Sequence, residues 1–320
     1  MKITSIDLPN EILSIIINEL APSDTENNHL ETLAACRLAS HTIYSLATPL
    51  FFSSIQLTES GASCKNDRIA AFEKRAVELN HLLTNNDIAA SVQSFMLSCD
   101  AVRLEDSLSS GIIMEILHHL PHIQNFALEV SGNEYLWSPI QFFSIAEDLS
   151  LAIRALFNSP NLTRMDLCNI FDFPRTLITA FPNLEYLRLR NIEFETFDVN
   201  SVFSIPPAII NPIFQYDNVD NTSNWEGSYL NSLEIDEASL ISLGACLGDS
   251  EHMSFPEYFS RLKNLHHENE DMMLNYAWDF VLQTSQTLTS LEIYRDLERM
   301  FHLCIEDYGI CCTHYKNSIA

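Results

Sequence analysis

The residue types able to do chemistry are spread along this chain without settling into a catalytic pattern. The densest histidine group is His118-His119-x-x-His122. Imidazoles suit zinc, but a catalytic site also needs a carboxylate or further ligand around an open coordination position. Pro121 interrupts the group at the end of a helical pattern and splays the rings, so a surface helix terminus is expected there. His302-x-Cys304 and Cys311-Cys312-x-His314 supply nitrogen and sulfur at spacings that match no zinc motif, and adjacent cysteines share a tetrahedral site poorly. The 8 Cys contain no C-x-x-C and read as reduced thiols, mostly filling cores. With 43 Asp+Glu, carboxylate pairs can be assembled at will and specify nothing. The sequence holds no H-E-x-x-H and no G-x-S-x-G, and Asp217 to Asn221 lacks the glycine and distal glutamate of a calcium loop. No metal and no cofactor is expected.

Composition narrows the classes further. The chain has 320 residues, 47% of them apolar, with 19 Phe, enough for a sizeable core. Its 17 Lys+Arg leave a net charge of −26, which argues against nucleic acid or an anionic membrane surface as the main partner. Only 7 Gly are present, and no G-x-G-x-x-G or G-x-x-x-x-G-K occurs, so a phosphate cradle is not expected. Asp7, Pro9, Asn10 and Glu11 break the pattern of a secretory signal, and no apolar run is long enough to span a bilayer. A soluble cytoplasmic or nuclear protein is expected.

The first 57 residues read as three short helices. Pro9 sits at a helix start, where its missing N–H costs nothing. Ile12, Ile16 and Leu20 recur every four residues, with Leu13 and Ile17 beside them, giving a wide apolar stripe. A second helix is predicted over 30–38. A third is predicted over 41–47, with Ser40 as N-cap and Pro49 stopping it before an extended 50–57. Such a unit has too little core to stand well alone and needs a partner or a neighbouring domain.

Leu8-Pro9-x-Glu11-Ile12-Leu13, then Leu33-Ala34-x-Cys36-Arg37-Leu38-x-Ser40, then Tyr44 through Phe51 closely resembles an F-box of the type common in fungi. The resemblance departs at residues 24–29, which lengthen the first interhelix loop. It implies docking onto the SKP-family adaptor of a cullin–RING ubiquitin ligase. By that resemblance Leu8 and Pro9 insert into the adaptor. Ile12, Leu13, Ile16, Leu33, Leu38 and Tyr44 supply either interface or internal packing.

Downstream, a short pattern of Leu or Ile, two residues, then two apolar residues one apart recurs. It starts at Val92, Ile123, Leu162, Leu184, Leu230 and Leu288, with a degenerate copy at Leu265. The period of two fits a short strand buried on one face. Pro121, Pro160 and Pro182 precede three copies, each after a helical pattern, over 109–120, 145–157 and 174–181. This arrangement resembles irregular leucine-rich repeats, whose units bury their apolar faces only by stacking. The usual asparagine position is missing, with Asn169 and Asn191 only a faint echo of it. A helix over 67–83, apolar at Ile69, Phe72, Ala76, Leu79 and Leu83, fits a cap on the first repeat.

The expected fold class is α/β: a three-helix F-box over 1–57, a linker with a capping helix over 58–90, and an irregular leucine-rich-repeat-like solenoid of short parallel strands over 91–320. The function the resemblance implies is a non-enzymatic substrate-recognition subunit of an SCF-type ubiquitin ligase, reaching cullin through the adaptor and holding a target protein on the repeats. The alternatives are an F-box scaffold outside ubiquitination, or an unrelated α/β enzyme whose start resembles an F-box by coincidence. From Asp217 to Ala320 there are 18 acids against 5 bases, so a target with a basic patch is one reading and a solvated surface another. Leu8→Ala with Pro9→Ala is expected to weaken adaptor capture in a pull-down by on the order of 2–5 kcal/mol. Equal binding by the double variant would remove the F-box assignment.

Overall fold

A computed structural model describes residues 9–18, 28–59, 65–131, 140–174, 183–195, 230–248, 259, 261–269 and 287–295. The predicted helix over 174–181, the three tryptophans, the C-terminal cysteines and Leu8 fall outside these residues.

The chain opens with helices α1 (Asn10–Asn18), α2 (Asn28–Arg37) and α3 (His41–Phe51). The carbonyl of Pro9 accepts the N–H groups of Ile12 and Leu13 at 3.0 and 3.1 Å, so Pro9 starts α1 as its chemistry predicts. Ser40 caps α3, its Oγ accepting from the Ile43 N–H at 3.2 Å. Pro49 does not stop this helix, which continues to Phe51. Proline there lies in the last turn, where it removes one bond, and the Phe52 N–H still reaches the Thr48 carbonyl at 3.1 Å. The extended segment is therefore shorter than expected, strand β1 (Ser54–Thr58) alone.

Next come α4 (Lys65–Leu83), α5 (Asn86–Ser91), β2 (Ser94–Asp100), α6 (Ala101–Glu105), α7 (Ser107–His118), β3 (Asn125–Ser131) and the two-residue β4 (Ile140–Gln141). A 3-10 turn (Phe142–Ser144), α8 (Glu147–Phe157), β5 (Arg164–Phe173), β6 (Tyr186–Phe194), β7 (Ser232–Asp236), α9 (Glu237–Gly248), β8 (Asn264–Asn269) and β9 (Ser290–Arg295) complete the described chain. The nine strands form one sheet in the order β1-β2-β3-β5-β6-β7-β8-β9, with β4 against β5 and every pairing parallel. Each repeat read from the sequence is a strand of this sheet, including the degenerate copy at Leu265. β1 belongs to it as well, although the sequence places residues 54–57 with the first unit.

One backbone contact recurs at the start of each strand on this path. The Ser53 carbonyl accepts N–H bonds from both Gln93 and Ser94. Gln93, Gln124, Thr163, Glu185, Asn231 and Lys263 do the same for the strand that follows, all at 2.7–3.0 Å. This sets the register: Phe95, Phe126, Met165, Leu187, Leu233, Leu265 and Leu291 align in one buried row. These residues share one core with the inner faces of α4, α7, α8 and α9. Within it Phe95, Phe126, Phe157, Phe173 and Phe194 form a chain of rings whose neighbouring centroids lie 5.9–6.4 Å apart. A second, much smaller cluster holds α1–α3 together around Ile17, Leu33 and Ala47.

The asparagine echo is a real ladder. Asn169 and Asn191 adopt positive φ, 62° and 52°, within β5 and β6. Asn169 Nδ2 donates to the Val130 carbonyl at 2.7 Å, and Asn191 Nδ2 donates to Asn169 Oδ1 at 2.9 Å. A second pair lies at the other end of the strands, where Asn161 and Asn183 donate to the Pro121 and Pro160 carbonyls at 3.2 and 2.8 Å. Asparagine tolerates the left-handed region and satisfies a buried carbonyl in the preceding unit. Asn169→Ala is expected to lower unfolding stability by about 1–3 kcal/mol in a denaturant titration. Asn169→Gly should recover the backbone share and not the hydrogen-bond share.

Candidate functional site

Two surfaces carry more than packing requires. The first lies on α1–α3. Ile17 and Leu33 turn inward, while Ile12, Ile15, Ile16, Leu38 and Tyr44 stand exposed, Leu38 at 89% and Ile15 at 58%. Of the residues singled out in the sequence, Leu33 is core, Leu13 is half-buried, Pro9 is exposed, and Ile12, Ile16, Leu38 and Tyr44 face outward. Five large apolar side chains exposed on so small a unit are more than its own packing uses, and such a surplus marks an interaction surface.

The second is the sheet face opposite the core. On β5–β9 it carries a cross-strand row in which Asp166, Arg188, Glu234, His266 and Glu292 are register neighbours. Arg188 stands between two acids, Nη1 3.7 Å from Asp166 and Nε 2.8 Å from Glu234. Arg190 reaches Asp166 at 3.4 Å, and His266 Nδ1 lies 3.3 Å from Glu292. The Tyr186 hydroxyl donates to Glu234, and the Arg164 guanidinium lies 4.6 Å over the Tyr186 ring. Burial raises the Asp166 pKa above the usual carboxylate range, against the pull of Arg190 and Arg188. Burial and the bond to Glu234 push the Tyr186 phenol up. On β1–β3 the same face is uncharged at Gln56, Met96 and Ala127.

Cys99 and Cys168 are not activated nucleophiles. Burial pushes Cys168 up to about 11 and Cys99 higher still, and Cys36, Cys99 and Cys168 are all free. Among the described residues no group of three or more His, Cys, Asp or Glu is placed to hold a metal ion. His118 and His122 are exposed at the end of α7 and the turn after it. Among the described residues no helix is long and apolar enough to cross a membrane.

No family model matches this chain. A search of curated proteins gives no match either.

The ionic row was not singled out in the sequence, though its signal was present. Asp166, Arg188, Glu234 and Glu292 each occupy the single position between the last two apolar residues of a repeat. Aligning the copies stacks them. The same alignment explains the degenerate copy, because His267 occupies the slot of Leu97, Leu128, Leu167, Leu189 and Ile235. It is 1% exposed, and its Nδ1–H donates to the Ile235 carbonyl at 3.0 Å.

Burial lowers the His267 pKa from its ordinary 6.5, against the pull of Glu237 and Asp236. The unfolded chain therefore takes up this proton first as pH falls. The stability held by the neutral ring is complete above the unfolded value of 6.5 and drains away as pH falls from there through the folded value. Chemical denaturation at a series of pH values should show that loss, and His267→Leu should remove this part of it.

Proposed function

We propose that this chain is the substrate-recognition subunit of an SCF-type ubiquitin ligase, with α1–α3 acting as an F-box on the SKP-family adaptor and the sheet face holding a target protein. The observation that carries the reading is the surplus of apolar surface on a unit with a very small core. Exposed Ile12, Ile15, Ile16, Leu38 and Tyr44 are the residue types an interface buries, and four of them are positions that the F-box resemblance assigns to interface or packing. Parallel strands joined in chain order support reading the rest as a leucine-rich-repeat-like solenoid, in which each unit contacts its neighbours and leaves one sheet face open.

The mechanism is proximity. On this reading no residue of the chain need act as nucleophile or base, and the conjugating enzyme supplies the chemistry. Holding the target beside that enzyme replaces a bimolecular encounter by an effectively intramolecular one. The mixed acids and arginines of β5–β9 favour a polar, charged target surface over an apolar one.

Ile12→Ser with Ile16→Ser tests the docking face without touching its core. Calorimetric titration with the adaptor should show binding weakened by about 1–3 kcal/mol per side chain. The melting temperature of the free chain should hold, since both residues are exposed. Unchanged adaptor affinity would overturn the reading.

A further inference from the structure

One side chain lies across the two hydrophobic clusters. Arg37, the last residue of α2, places its guanidinium carbon 4.6 Å from the centroid of the Phe51 ring, 4.8 Å from Phe52 and 5.3 Å from Tyr44. Its Nε–H donates to Thr48 Oγ1 at 3.2 Å, and that hydroxyl donates to the Tyr44 carbonyl at 2.7 Å. Phe51 packs with the small cluster of α1–α3, whereas Phe52 packs with the large core of the sheet. The two rings meet edge to face, 5.0 Å apart at 90°. The cation thus touches both bodies at once.

The connector it sits on has no slack. Between the end of α3 and the start of β1 lie only Phe52 and Ser53. The Phe52 N–H bonds to the Thr48 carbonyl, the Ser53 N–H bonds to Leu50, and the Ser53 carbonyl takes both Gln93 and Ser94 from β2. Both N–H groups of the connector and the Ser53 carbonyl are thus committed, and the cation lies over the rings on either side of the joint.

We propose that Arg37 is a positioning residue that fixes the direction of the three-helix unit relative to the sheet. On the reading given above, that direction sets where a target held by the sheet is carried relative to the adaptor. A cation over several rings resists rotation of any one of them, which an aliphatic side chain of equal length does not.

The test measures the joint itself and needs neither adaptor nor target. Nitroxides are attached through an encoded keto amino acid at Ala35, exposed on α2, and Glu185, exposed before β6. Pulsed electron–electron resonance on the full chain should give one narrow distance peak. Arg37→Met, similar in length and uncharged, should lose the single peak, while Arg37→Lys, which keeps a cation over the rings, should retain it. Amide exchange in α1 and α3 must stay native in the Met variant. If those helices melt, Phe52→Leu, which removes one ring on the sheet side only, replaces it and should lose the peak in the same way. A wild-type peak width in Arg37→Met, or in Phe52→Leu, overturns the proposal, as does loss of the peak in Arg37→Lys with native helices. Adaptor binding by the wild-type chain is scored separately: its absence removes the F-box reading and leaves the distance result standing.

Discussion

A single carbonyl at the start of each strand accepts two N–H groups from the next, and the rest of the molecule follows from that contact. It brings successive strands in side by side and parallel, in a fixed register, so that residues of like parity fall on one face. Apolar residues at those positions then form rows that the helices cover, and the positions between them form rows that the helices do not. A shift of one residue would turn Leu187 and Leu189 outward and bring Arg188 into the core, so the hydrophobic pattern and the carbonyl contact enforce each other.

Strand length decides what happens at the far end of the sheet. β6 outruns β7, which leaves the Ile192 and Phe194 N–H groups without a strand partner on that side. Ser239 and Ser242 of α9 fill the gap, accepting at 2.8 and 2.7 Å. Asp236 joins the same knot: one carboxylate oxygen caps the Ser239 N–H at 2.8 Å, and the other accepts from Asn191. The buried hydroxyl of Ser239 is therefore a backbone surrogate, which is why a polar residue is tolerated at 0% exposure.

Much of this was legible in the residues, and the failures have physical causes. The Leu-x-x-Leu-x-Leu period marked the strands because burial of one face imposes it, and Pro121 and Pro160 marked turns because proline ends helices. β1 was missed as a sheet member, since Ile55 and Leu57 alone make too short an alternation to separate from the helical block before them. Pro49 misled because its cost depends on where in a helix it falls. The asparagines looked too few to form a ladder, and only positive φ and a partner in the preceding unit reveal what they do. The ionic row required cross-strand register, which no single repeat contains. For α1–α3 the stripe was visible, but its division into an inner Ile17 and an outer Ile12 and Ile16 depends on how three helices cross.

Pairing in chain order also shapes how such a molecule is made. Each described strand on the main path is joined to the strand before it on that path, so strand pairing there waits for no distant part of the chain. Ordered structure can spread from one strand to the next as the polypeptide emerges from the ribosome, each new strand finding a finished edge with its receiving carbonyl in place. The growing edge is, at every stage, a row of unpaired backbone groups beside apolar side chains still waiting for cover. Synthesis and assembly therefore run in the same direction, and a pause between strands leaves the molecule at its most adhesive.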